Sequence, residues 1–294
     1  MSRPSCQSVP ASHGRLRAGW FLVVNRIWLF LLVFAGWPLA AAEPALGLRP
    51  GEVAEFTAPF SPELRRFAGG NQPCESTGAL AAVAVPKDFT PDRPWPVLVV
   101  SATSDPGYNS SRRLLRQFAA PALKAGWIVL AADATSAMES DSNNLRYALI
   151  LAALERLRLE WSHLPEWPCA FGGFSGGAKR SASLAAMSLI LGRRPLGVFQ
   201  GGCNEPVMRY VQHIYPVPAD QWLSVPVYLS SGGEDPIATR EQVEEVNADL
   251  KRNGFKHVRL EHFPGWHELH AAHIEEALRW FAELAAKNPP AKRP

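Results

Sequence analysis

The chain has 294 residues, and four of its 30 lysines and arginines, but none of its 27 acidic residues, fall in the first 42 positions. The other 252 residues carry 26 basic against 27 acidic side chains, and no Lys/Arg cluster of the kind that tracks phosphates appears among them. Near neutrality argues against a nucleic-acid partner, and the length suits one large domain with a full core.

Arg3, Arg15, Arg17 and Arg26 precede an uncharged run from Ile27 to Ala42 that closes on Ala40-Ala41-Ala42. A basic segment, an apolar core and small residues in that order read as a signal peptide over residues 1–42, cleaved before Glu43. The mature domain, 43–294, is then secreted or periplasmic. The apolar run falls short of the ~20 residues that span a bilayer, so no stable membrane insertion is expected after cleavage. The competing reading is an uncleaved anchor, because Trp37 and Pro38 make the end of the run atypical.

In the mature chain, residues 51–57 and 79–86 have the pattern of an antiparallel strand pair at a sheet edge. Val97-Leu98-Val99-Val100-Ser101 is a buried strand, followed by a helix through Leu114, Leu115, Phe118 and Leu123 that ends near Gly126. Trp127–Ala132 is the next strand. Asp141-Ser142-Asn143 is a helix start signal, with helical spacing over 143–158. Further strands are expected at 169–173, 196–201, 225–230 and 257–263, with a last helix after His267 through Ile274, Leu278, Phe281 and Leu284. Strands alternating with helices predict an α/β fold with a mostly parallel sheet flanked by helices. After Cys6 leaves with the leader, Cys74, Cys169 and Cys203 permit one pair at most. Strand polarity selects Cys74 with Cys203, since Cys169 begins its strand at the opposite end of the sheet.

Three segments carry candidate chemistry. Gly173-Phe174-Ser175-Gly176-Gly177 lies between a strand and a helix. The Gly-x-Ser-x-Gly spacing puts the serine on a strained turn where flanking side chains would collide, and the following helix aims its N–H groups at developing negative charge. A glycine-rich turn with an incidental serine, or a phosphate-binding loop, is the plainer reading. Gly232-Gly233-Glu234-Asp235-Pro236 follows the apolar strand 225–230, and Asp235 is placed to orient a histidine; a helix N-cap is its alternative role, with Glu234 and Glu205 as rival acids. Pro264-Gly265-Trp266-His267 puts His267 on the loop after the last strand, whereas His262 lies within the strand and His270 and His273 fall on the terminal helix. The order Ser175, Asp235, His267 is the one expected of a serine triad on this kind of sheet. His267, His270 and His273 recur every third residue, but steps of three at ~100° per residue diverge on a helix, so no metal site is expected.

On those three segments the chain resembles the α/β-hydrolase superfamily, in the group of predicted esterases related to dienelactone hydrolase and polyester depolymerases. The resemblance spans about residues 51–286. It implies the α/β-hydrolase fold, with a central sheet of about eight strands and no large lid, and a serine esterase of small-molecule substrates that needs no cofactor. It also implies that Ser175 attacks, His267 takes the proton and Asp235 stabilises the imidazolium. The oxyanion hole would use the N–H of Gly176 and a second N–H from Ala102 or Thr103, in Ser101-Ala102-Thr103-Ser104, where many relatives carry His-Gly. A non-catalytic binding protein of the same fold, a peptidase and a thioesterase remain as alternatives.

Only 23 residues, 202–224, separate two of the strands, which is too short for a lipase-like lid. Tyr210, Tyr215 and Trp222 in that stretch, with Trp266, are expected to form an aromatic wall beside the site or to pack as ordinary helix contacts. Lys179 and Arg180 read as an ion-paired or solvated helix face in preference to a site for an acidic substrate.

Overall fold

Apolar residues alternate between two cores along the inner strands. In β4 (Ile128–Ala134), Ile128, Leu130 and Ala132 face one cluster and Val129 and Ala131 the other; in β3 (Val97–Ser101), Val97 and Val99 oppose Leu98 and Val100. A strand apolar on both sides is stable only with helices over both faces. The computed structural model describes residues 46–136, 141–161, 163–164 and 167–287. The signal-peptide expectation therefore lies outside the described residues.

The remaining strands are β1 (Val53–Pro59), β2 (Gly78–Ala84), β5 (Cys169–Phe174), β6 (Val198–Gly201), β7 (Val227–Gly232) and β8 (Val258–Phe263). They form one sheet in the order β1-β2-β4-β3-β5-β6-β7-β8; β1 pairs antiparallel with β2 and β2 with β4, and every other pairing is parallel. Parallel neighbours need crossovers, and these are the helices. On one face lie α2 (Ser111–Lys124) and α8 (Ala271–Lys287), which supply Leu115, Phe118, Ile274 and Phe281. On the other lie α1 (Pro62–Gly69), α3 (Asn143–Arg158), α4 (Gly176–Ile190), α5 (Val207–Ile214) and α7 (Arg240–Arg252). The short α6 (Ala219–Trp222) joins α5 to β7. Ala178, Ser181, Ala182, Ala185 and Ala186 of α4 are all buried, so small side chains let this helix lie close on the sheet.

Two expectations are corrected, and one helix is added. Cys74 and Cys203 are both free. Cys74 lies between α1 and β2 at one edge, whereas Cys203 follows β6; at ~4.8 Å per strand, the five spacings from β1 to β6 amount to roughly 24 Å, far beyond the ~7 Å between Cα atoms that a disulfide tolerates. Burial pushes the Cys203 thiol up to about 11. The aromatic wall also fails in two of its members. Trp222 is fully buried, with its indole N–H donating to the Met208 carbonyl at 2.8 Å, and Tyr215 is buried too, receiving a hydrogen bond from the Asn143 amide. Both hold α5 and α6 to the domain, so only Tyr210 and Trp266 stay exposed. Finally, α1 was not anticipated, although Ser61-Pro62-Glu63 is a helix start: the Ser61 hydroxyl accepts from Leu64 N–H and Pro62 occupies the first turn.

Candidate active site

Ser175 stands at the junction of β5 and α4 with φ 54° and ψ −121°, and it is the one non-glycine residue with positive φ among the described residues. Such a conformation costs about 1–3 kcal/mol and persists only when the surroundings enforce it. Here the flanking glycines are the enforcement. A Cβ on Gly173 would lie 2.3 Å from the Gly177 carbonyl carbon, and a Cβ on Gly177 would lie 2.1 Å from the Ser101 carbonyl oxygen. Side chains at those positions would push α4 off β3 and open the turn. Ser61, Ser110, Ser142 and Thr239 each give their side-chain oxygen to a helix N-terminus, but Ser175 makes no such capping bond.

Backbone hydrogen bonds beyond the strand ends draw the three motif segments together. Ser175 N–H donates to Gly201 O at 2.8 Å, Gly202 N–H to Ser230 O at 2.9 Å, Gly233 N–H to Phe263 O at 2.8 Å, and Glu234 N–H to Gly265 O at 2.9 Å. The ladder thus continues across β5, β6, β7 and β8 into their loops. Asp235 is 4% exposed; its Oδ1 accepts from the N–H groups of Ile237 and Ala238, both at 2.8 Å, and its Oδ2 lies 2.7 Å from His267 Nδ1. The helix-cap alternative for Asp235 does not apply, because α7 starts at Arg240 and is capped by Thr239 in a capping box with Gln242. His267 packs its ring against Phe174, with centroids 4.6 Å apart. Gly202, at φ 57°, leaves room for that ring: a Cβ there would come within 2.8 Å of His267 Cε1. The imidazole is thereby set beside Phe174, which precedes Ser175, and Gly202, which follows the acceptor of Ser175 N–H. The role of Gly202 was missed in the sequence, where the pair Gly201-Gly202 at the end of a strand was its only signal.

Most of the rival groups have other partners. Glu234 and Glu205 are exposed, and Glu205 pairs with Lys179. His262 Nε2 lies 3.5 Å from Glu244 Oε1, His273 Nδ1 is 2.9 Å from the Ser230 hydroxyl, and His270 stacks on Phe263. Burial holds the His262 and His273 rings below the usual imidazole range. His267 turns to Asp235 while His270 and His273 contact each other, and no cluster of three potential metal ligands occurs among the described residues.

Of the candidate oxyanion donors, Gly176 N–H stands at the first residue of a 15-residue helix. The Thr103 side chain packs against the Gly176 Cα, since a Cβ on Gly176 would meet Thr103 Oγ1 at 2.3 Å. Ala102 N–H, by contrast, donates to the Ser111 hydroxyl at 3.1 Å within the protein. Of the two alternatives for the second donor, Ala102 is thus occupied and Thr103 adjoins the site. Lys179 and Arg180 are ion-paired, as expected, though Arg180 is buried and bonded to Asp141 and Ser104.

No protein-family model matches the sequence, and no curated protein matches it. Solved structures do. A lidless α/β serine hydrolase from Xanthomonas campestris superposes with a TM-score of 0.53 at 20% identity, covering 85% of this chain and 100% of that one. A cold-adapted esterase from an Arctic intertidal metagenomic library gives 0.51 at 14% identity, covering 84% and 98%. A thermostable carboxyl esterase from Bacillus coagulans gives 0.52 at 16%, covering 79% and 98%. At such identities the likeness is one of architecture, and with the strand order and the strained serine turn it shows that this chain is built on the α/β-hydrolase fold.

Proposed function

We propose that the protein is a serine hydrolase that cleaves a small or medium carboxylic ester through an acyl-enzyme intermediate. The observation that carries this reading is the buried Asp235 carboxylate bonded to His267 Nδ1, with the imidazole packed beside the strained Ser175 turn. With Nδ1–H donated to Asp235, Nε2 carries the free lone pair. It takes the Ser175 proton as Oγ attacks the ester carbonyl carbon, and the carbonyl oxygen becomes an oxyanion bonded by the N–H groups of Gly176 and Thr103. Collapse expels the alkoxide, which receives that proton from the imidazolium, and leaves Ser175 acylated. Water then gives a proton to His267 and attacks the acyl carbon; the released serine oxygen takes the proton back, and the acid departs. Every step is a proton or acyl transfer between groups of this chain, substrate and water. The sequence reading of a leader before Glu43 extends the proposal to a secreted or periplasmic enzyme.

Substrate size follows from the mouth of the site. The loops after β7 and β8 expose Ile237 (58%) and Trp266 (64%), each within two residues of Asp235 or His267. The stretch between β6 and β7 is used by two short helices that Trp222 and Tyr215 pin to the domain. An open mouth with two apolar side chains contacts a few carbons. Further methylenes stay in water and forgo the ~0.8 kcal/mol each that burial would give. Against p-nitrophenyl esters of graded chain length, kcat/KM is expected to peak between acetate and hexanoate, without a jump above the micellar threshold. A steady rise to long chains with such a jump would refute the open-mouth reading, and faster cleavage of matched anilides than of esters would reassign the enzyme to peptide bonds.

A further inference from the structure

Two buried arginines converge on the segment that follows β3. Arg146 on α3 has a side chain only 1% accessible; its Nη1 donates to the Ser111 hydroxyl at 3.0 Å and to Asp133 Oδ1 at 3.1 Å, its Nη2 to the Asn109 carbonyl at 2.9 Å, and its Nε and Nη2 to the two carboxylate oxygens of Asp141 at 2.6 and 3.0 Å. The same Ser111 hydroxyl accepts Ala102 N–H. Arg180 on α4 donates through Nη1 to Asp141 Oδ1 at 2.8 Å and through Nη2 to the Ser104 hydroxyl at 2.5 Å. Burial opposes the charge of Asp141, but the Arg146 and Arg180 guanidiniums bonded to it outweigh that and keep its carboxyl below the usual range.

The arrangement reaches Ala102 from one side and Ser104 from the other, so Thr103 is held between two fixed neighbours. Arg180 stands one helical turn after Gly176, on the same helix. It therefore ties the helix that carries one oxyanion donor to the loop that carries the other. Replacing buried ion pairs by apolar groups is often neutral for stability, and besides Asp133 and Asp141 the bonds of these two arginines end on Ser104, Asn109 and Ser111 of the segment after β3.

We propose that Arg180, braced by Asp141 and Arg146, is a positioning residue that fixes the Thr103 N–H relative to the Gly176 N–H through Ser104. The inference rests on the serine-hydrolase reading and names the support of its oxyanion site. Misplacing a donor weakens a bond made mainly in the transition state, so the loss falls on kcat.

The test compares wild type with Ser104→Ala, Ser104→Thr and Arg180→Met on p-nitrophenyl acetate, recording kcat, KM, the pH profile and the melting temperature. Ser104 is exposed, so its variants are expected to melt as wild type does. Full loss of an oxyanion donor costs about 10²–10³ in kcat, and partial misplacement in Ser104→Ala or Arg180→Met is expected to cost about ten- to hundredfold. KM should move less than about threefold, Ser104→Thr should restore kcat, and the shape of the pH profile should persist because His267 and Asp235 are untouched. Wild-type kcat in Ser104→Ala, a loss confined to KM, or failure of Ser104→Thr to rescue overturns the positioning role while leaving the hydrolase reading in place. A wild-type protein that cleaves no ester overturns both.

Discussion

Ser175→Ala is expected to reduce ester turnover by about 10⁴- to 10⁶-fold, the range seen when the nucleophile of a serine triad is removed. The expectation comes from the turn itself. Its backbone is held by the Ser175 N–H bond to Gly201 O and by the contacts of Gly173 and Gly177, none of which involves the hydroxyl. The substitution therefore deletes one oxygen from a half-buried position, and the melting temperature should stay within a few degrees of wild type. What remains is the slow hydrolysis that oxyanion donors and substrate binding support without a nucleophile. Steady-state kinetics of a folded Ser175→Ala protein check this, and turnover within tenfold of wild type would mean that another group attacks.

Asp235→Asn should lower kcat/KM by about 10⁴-fold. An amide at this position keeps Oδ1 to accept from Ile237 and Ala238, so the loop after β7 holds its shape. Its other end, however, becomes a donor where His267 Nδ1 requires an acceptor. The imidazole then carries its proton on Nε2, the nitrogen that must be free to take the Ser175 proton, and no carboxylate offsets the imidazolium. Glu234→Gln and Glu205→Gln alter exposed side chains, of which one pairs with Lys179, and should stay within about threefold of wild type as surface changes do. A larger loss from either glutamate than from Asp235→Asn would move the acid.

The strands and the three motif segments were legible in the sequence because burial on both faces leaves continuous apolar runs, and because only glycine tolerates the approaches made at 173, 177 and 232. A Cβ on Gly232, for example, would lie 2.2 Å from the Trp266 carbonyl oxygen, so the second and third motifs are glycine-rich where they touch. Chain order could likewise propose Ser175, Asp235 and His267. Long-range polar contacts were beyond that reading. Nothing local distinguishes Ala102 N–H from Thr103 N–H until Ser111, nine residues on, takes the first of them. Arg180 looked like a helix-face charge because its partners, Asp141 and Ser104, sit 39 and 76 residues away. Lateral strand order explains the cysteine error in the same terms: polarity put Cys74 and Cys203 at one end of the sheet, but not which strands lay between them. Trp222 and Tyr215 could face either the site or the core, and only the packing of α5 and α6 decides for the core.

The claim that Ser175 is a nucleophile activated by His267 is tested most directly by covalent labelling of the full-length protein with a fluorophosphonate, followed by peptide mapping. A single adduct on Ser175 is expected, formed within minutes by wild type and slowed at least about a thousandfold in His267→Ala, since an unassisted serine hydroxyl reacts little. No adduct, an adduct on another residue, or equal labelling rates in wild type and His267→Ala would contradict the account.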